Sequence, residues 1–267
     1  GFETDSIRAG ARVAQLYPGG SMKSTVWGYG IQTTPEMAGF VGSCMVRHHD
    51  FNTAGMHETD MVPGILAVGE ALHSSGEDML SAMTLFWEVF AGLLTAQPVG
   101  NAPGIRGTWS IMDNLFHAPA LAMAIGKLMK LNEDQLGNAL SLSFVNNISL
   151  GVDHWEGPNS MAKSNHDAAL LRSAIFAVLS ARAGITGPAQ PFEGGKGLWD
   201  VITGPFKMRL PARVGGDPMM PLKPGDDRYV IQTVVYKRLP GNGGAAISQT
   251  IPDFRAFAKP EIGRAHV

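Results

Sequence analysis

The segment Met79–Ala96 is the most apolar stretch of the chain, and it carries Glu88 at its centre. A charge at that position would cost roughly 2.5–3.5 kcal/mol in a bilayer, so the segment reads as a buried helix rather than a membrane span. A helix apolar on all sides has to be covered by other elements. The composition can supply that cover: of 267 residues 45% are hydrophobic and 16% charged, which excludes intrinsic disorder and suits one large or two modest domains. Lys and Arg number 21 against 23 Asp and Glu, with no run of like charge, so a general nucleic-acid or anionic-membrane binder is not expected. The lone Cys44 excludes a disulfide framework and any Cys-ligated zinc or iron–sulfur cluster within the chain.

The pattern is helical over most of the length. In Met161–Ala183, Leu171, Ile175 and Val178 form one stripe, and Leu170, Ala174, Ala177 and Ala181 form an adjacent stripe of mostly small residues. Such a helix packs closely on two neighbours, and Gly184 followed by Thr186-Gly187-Pro188 ends it. Further helices are predicted over Asp5–Tyr17, from Thr34-Pro35-Glu36 to about Arg47, from an Asp60 or Thr59 cap through Leu72, over 77–96, over Trp109–Lys130, and from Glu133 to about Asn146. Asn132 with Gln135 opens the last of these as a variant capping box. Thr25–Gln32 reads as a short strand or extended link, and 97–107 as a Pro/Gly loop. Beyond Gly204 the texture changes: Phe206–Leu210 and Tyr229–Tyr236 are rich in β-branched and aromatic residues, as strands are. The expected fold is therefore mainly α, a large all-helical domain over 1–228 followed by the beginning of an α/β lid over 229–260.

The chain begins at Gly1 with a helix already under way, and no targeting segment is visible; a cytoplasmic location is expected if the source is prokaryotic. Glu261-Ile-Gly-Arg-Ala-His-Val267 is the translation of GAGATCGGAAGAGCACACGTC, which resembles read-through of a sequencing adapter. Residues 261–267 are accordingly expected to be an artefact, and the whole to be a gene fragment.

Four segments concentrate groups capable of chemistry. The polar segment 48–60 holds His48, His49 and His57 together with Asp50. A His–Asp pair can place an imidazole for proton transfer, the carboxylate fixing its tautomer. A metal site from His48, His49, Asp50 and His57 is chemically open, as is a solvated loop whose histidines merely cap helices. Ser160-Met-Ala-Lys163 begins the long helix, where free N–H groups and Lys163 would receive a carboxylate; the plainer reading is an exposed first-turn lysine. The Ser-x-x-Lys spacing lacks the companion motifs of a serine acyl-enzyme. Phe192-Glu-Gly-Gly-Lys-Gly197 lacks the Ser or Thr of a phosphate-binding loop and reads as a tight turn. Lys237 follows the best predicted strand and reads as a solvated charge unless a site faces it.

In this order the segments resemble the MmgE/PrpD family, which includes 2-methylcitrate dehydratase and cis-aconitate decarboxylase. Arg47-His-His-Asp50-Phe-Asn is similar to the family's R-x-x-D-F-N-D, and Met56-His57-Glu-Thr-Asp-Met-Val-Pro to its G-H-P-S-D-x-x-P. Ser160-Met-Ala-Lys163 resembles S-M-W-K, Ala183-Gly-Ile-Thr-Gly-Pro with Phe192-Glu-Gly resembles the signature that follows, and Tyr236-Lys237-Arg-Leu-Pro240 resembles K-R-x-P. The resemblance spans residues 1 to about 250. It implies a helical domain plus an α/β lid with the active site between them, catalytic roles for His57 and Asp50, and carboxylate binding by Lys163 and Lys237. It also implies a lyase without cofactor or metal that acts on a citrate-like tricarboxylate, or a decarboxylase or isomerase of related acids. A homodimer is expected. The sequence departs from the family in its short Asp50–His57 loop, in Glu58 where proline is usual, and near the start of the helix at 109–130. There a frequent histidine is missing, and Asp113 or His117 could take its place. The rival from another class, a non-catalytic helical interaction module, would be expected to lose the His–Asp loop, which this chain keeps.

Overall fold

The computed structural model describes residues 3–48, 52–53, 57–96, 113–147, 160–208, 210, 212 and 227–234. Asp50, Lys237, His49, the 97–107 loop, residues 235–260 of the expected lid and the 261–267 tail lie outside them.

Among the described residues the structure is helical apart from one hairpin. The helices are α1 (Asp5–Ala14), α2 (Pro35–His48), α3 (Val62–Ala71), α4 (Gly76–Ala96), α5 (His117–Leu128), α6 (Glu133–Val145) and α7 (Ala162–Arg182). Strands β1 (Ser24–Val26) and β2 (Ile31–Thr33) pair antiparallel, with Gly28 and Gly30 at positive φ in the turn. The expected extended segment is thus a hairpin. Ser24 Oγ donates to the Ala67 carbonyl of α3 and Thr33 Oγ1 to the Ala14 carbonyl of α1, which ties the hairpin to both helices.

Local chemistry sets most helix ends. Asn132 Oδ1 accepts from the Gln135 N–H at 2.9 Å while Gln135 Oε1 accepts from the Asn132 N–H, the reciprocal box expected from the spacing. At the end of α7 the Ile185 N–H reaches the Ser180 carbonyl and Gly184 takes φ 98°, a conformation that strains any residue with a Cβ. Two expected caps are not made. Thr34 serves α2 through its carbonyl, and its buried hydroxyl has no hydrogen-bond partner among the described residues. Asp60 does not cap α3: a 3-10 turn, Glu58–Met61, precedes that helix and turns the carboxyl into the interior. The helix expected over 109–130 is likewise divided into a 3-10 turn, Asp113–Phe116, and α5.

The larger core gathers α4, α5, α6 and α7 around Phe86, Phe90, Leu121, Ile125, Leu171 and Ile175. A smaller one joins α1, the hairpin and α2 around Ile7, Val26, Met37 and Val41. Close approach of α2, α3 and α7 depends on missing side chains. A Cβ on Gly39 would stand 2.7 Å from Leu171 Cδ2, and one on Gly64 2.9 Å from Leu171 Cγ. Helix α4 is long and apolar enough to cross a membrane by length and composition. Its Glu88 is buried and accepts the Ala212 N–H on Oε2 and the Val230 N–H on Oε1, both at 2.8 Å. The carboxylate thereby pins two distant segments to the helical core.

Neither strand expected after Gly204 forms among the described residues. Residues 204–208 are irregular, and Phe206 plugs edge-on between Phe116, Phe192 and Trp199. Val230–Thr233 is a 3-10 turn closed by Gln232 Oε1 on the Tyr229 N–H and by Thr233 Oγ1 on the Val230 carbonyl. With the Val230 N–H already committed to Glu88, β propensity is overridden by these nearer partners. The Gly194–Gly197 segment is the tight turn expected, with Lys196 at φ 68°.

Candidate functional site

The last turn of α2 faces the first two turns of α7, and the two are joined by three side-chain pairs. Cys44 Sγ lies 3.3 Å from Asn165 Oδ1, His48 Nδ1 lies 3.1 Å from Ser164 Oγ, and Arg47 Nε lies 3.2 Å from Asp167 Oδ2. Arg47 is the hub. Its Nε is also 3.6 Å from Asp60 Oδ2, and its Nη1 is 2.9 Å from Nδ1 of His57. His117, the first residue of α5, presents Nδ1 3.3 Å from Asp167 Oδ1 while its ring stacks on Phe90 at a centroid distance of 4.6 Å. Arg47, Asp60, His117 and Asp167 are each at most 1% exposed.

Charge inside this cluster is set by burial and by partner. Burial pushes the Asp60 carboxyl well up, and the negative charge of Asp167 pushes the same way; Arg47 and the amide of Asn52 only partly offset them. Burial would raise Asp167 too, but the hydrogen bond from His117 and the Arg47 guanidinium outweigh it and hold Asp167 well below the usual carboxylate range. The two carboxyls that face one guanidinium are thus pushed in opposite directions, Asp60 toward its protonated form and Asp167 toward its ionised form. Burial, with the same two carboxyls, also raises the Cys44 thiol far above its ordinary range, which makes it a packing residue and not a nucleophile.

The tautomers follow from the partners. An arginine can only donate, so His57 Nδ1 accepts and the ring proton is assigned to Nε2. An ionised carboxylate can only accept, so His117 carries its proton on Nδ1. His57 sits at φ 62°, ψ 27°, in the left-handed region, immediately before the turn that delivers Asp60.

Of the residues singled out in the sequence, His57 is half-buried and joined to Arg47, and Lys163 is 0% exposed in the first turn of α7. The reading of Lys163 as a solvated first-turn lysine is corrected. So is the expectation of free N–H groups there: those of Ala162 and Lys163 are taken by Ser160, and that of Ser164 by the Met161 carbonyl. Asp50 and Lys237 lie outside the described residues, and so does the side chain of Asp113. Among the described residues no group of three or more His, Cys, Asp or Glu is placed to hold a metal ion; His48 and His57 turn to Ser164 and Arg47 instead. Sequence reading missed Asp60, taken for a cap, and Asp167. The available signal for Asp167 was its register, four residues from Lys163 and four from Leu171, which puts a charge on the buried stripe of α7.

Fold and site together define a mainly helical protein with a buried acid–base cluster at the meeting of α2, α5 and α7. The chain belongs to the MmgE/PrpD family: the family model described as MmgE/PrpD N-terminal domain matches residues 1–211, a span that includes every residue of the cluster. That family includes lyases of the dehydratase type. No curated protein matched the sequence.

Proposed function

We propose that this protein is a cofactor-independent hydro-lyase that removes water from a citrate-like tricarboxylate such as 2-methylcitrate. The observation that carries the reading is that Arg47, His57 and Lys163 are contributed from the α2–α7 junction and its adjoining turn in a chain of this family. Elimination of water breaks one C–H and one C–O bond: a base takes the proton, and the departing hydroxide receives another. With Nδ1 committed to Arg47, His57 offers Nε2–H as the donor to the leaving oxygen, and the adjacent guanidinium stabilises negative charge that develops on the ring. Arg47 orients the ring through Nδ1. Asp50, catalytic by the family resemblance, is then left to accept the C–H proton. Lys163, with Lys237 from the lid segment that begins at about 229, holds substrate carboxylates. The test is incubation of the purified protein with 2-methylcitrate, citrate and cis-aconitate, following the conjugated double bond by ultraviolet absorbance and the products by NMR. Formation of an unsaturated tricarboxylate supports the reading. Release of CO₂ would favour the decarboxylase of the same family, and no turnover of any of the three would overturn the assignment.

A further inference from the structure

The contacts form an uninterrupted series across three helices and a turn: His117 on α5, Asp167 on α7, Arg47 on α2, then His57. Each oxygen of Asp167 has one partner within it, Oδ1 facing His117 Nδ1 at 3.3 Å and Oδ2 facing Arg47 Nε at 3.2 Å. Arg47 then extends a different nitrogen, Nη1, to His57 Nδ1 at 2.9 Å. We infer that Asp167, held by His117, is a positioning residue that fixes His57 in its Nε2–H tautomer by way of Arg47.

Asp60 is the alternative anchor for the guanidinium, and the geometry disfavours it. It stands farther away, at 3.6 Å, and Asn52 Nδ2 already approaches both its oxygens, at 3.1 and 3.3 Å. Burial also pushes the Asp60 carboxyl up while His117 and Arg47 hold that of Asp167 low, which agrees with the shorter distance in favouring Asp167 as the anchor of Arg47. The planar fork of arginine suits this work, because two of its nitrogens can serve two partners at a fixed angle. The stacking of His117 on Phe90 in turn fixes the orientation of the ring that faces Asp167.

Asp167 and His117 need not touch substrate; they act through Arg47. That this matters for turnover rests on the reading of His57 as the proton donor, but the tautomer itself is measurable without substrate. Histidine-labelled protein would be studied by ¹⁵N NMR, with the His57 signals assigned by their loss in His57→Gln. The expected parent spectrum has a protonated Nε2 and an unprotonated Nδ1 at His57. In Asp167→Asn the nearer carboxylate beside Arg47 is gone and Asp60, 3.6 Å from Nε, is left to draw the guanidinium, so the His57 nitrogens should move toward averaged values as both tautomers become populated. Arg47→Lys keeps the charge but lacks the fork, and should give the same averaging; it decides the question should Asp167→Asn not fold. A parent His57 protonated on Nδ1, or shifts unchanged in both variants, would overturn the inference. Turnover of the tricarboxylate by the parent reports on the proposed function separately. If that activity exists, Asp167→Asn should lower kcat per folded molecule by about 10²-fold, the order expected from loss of alignment.

Discussion

Arg47 donates to the Nδ1 of His57 across 2.9 Å, and because an arginine can only donate, that contact makes Nδ1 the acceptor and assigns the ring proton to Nε2. A histidine oriented by a carboxylate would present a lone pair and act as a base; one oriented by a guanidinium presents an N–H and acts as a donor.

The two carboxyls beside Arg47 should give stability a pH dependence with two limbs. Asp60, whose folded pKa is raised, contributes stability below its unfolded value of about 3.9 that is lost as pH rises from there through the raised folded value. Asp167, whose folded pKa is depressed, contributes stability that is present above about 3.9 and lost as pH falls through the depressed value. Urea midpoints of Asp60→Asn should therefore rise relative to the parent as pH increases above about 3.9. An Asp60→Asn curve parallel to that of the parent would show that folding does not raise the Asp60 pKa.

Glu88 should behave as a clasp on the segments at 212 and 230. Glu88→Gln replaces one acceptor by a donor facing a donor, and Glu88→Leu leaves two buried N–H groups unpaired, at about 1–3 kcal/mol each. Amide exchange at Ala212 and Val230 should accelerate in both variants, more in Glu88→Leu, while exchange in α5 and α7 changes less. Unaltered exchange at both amides would remove the clasp from the account.

Close packing of α2 on α3 and α7 can be tested at Gly39. Its substitution by Ala places a methyl 2.7 Å from Leu171 Cδ2 and should destabilise the fold by about 1–3 kcal/mol. Gly137, where a Cβ would meet nothing within 4 Å, is the control: Gly137→Ala, in the interior of α6, should be neutral or stabilising. Equal urea midpoints for the two variants would contradict the packing described.

Lys163 is fully buried at the seam, and the proposed reading gives it a substrate carboxylate to hold. Lys163→Ala is expected to raise KM and lower kcat together, because a substrate carboxylate loses its charge-assisted partner and that contact strengthens as negative charge grows in the transition state. Steady-state kinetics with the same substrate in EDTA should match those without it. Activity lost to the chelator and restored by a divalent ion would instead favour the metal reading of His48, His49, Asp50 and His57.

Where the sequence carried local rules, the structure follows it. The Leu171, Ile175 and Val178 stripe lies in the core, Asn132 and Gln135 make their box, and Gly184 ends α7. Two of the errors came where a distant partner outweighed the local pattern. Residues 230–233 had strand composition, but Glu88, 142 positions away from Val230, holds that N–H. Asp60 had the look of a cap, but the guanidinium of Arg47 and the amide of Asn52 draw it inward. The site was half legible for the same reason. His57 and Lys163 stand in motifs, whereas Asp167 and His117 acquire their roles only when α5, α7 and α2 come together.

The most direct measurement of the central claim is the turnover of 2-methylcitrate by His57→Ala, compared with the parent at equal folded concentration confirmed by circular dichroism. The account predicts a fall in kcat of roughly 10²–10⁴ with the fold retained, the range lost when a positioned proton-transfer group is removed. A folded His57→Ala protein that dehydrates the substrate at the parent rate would contradict it.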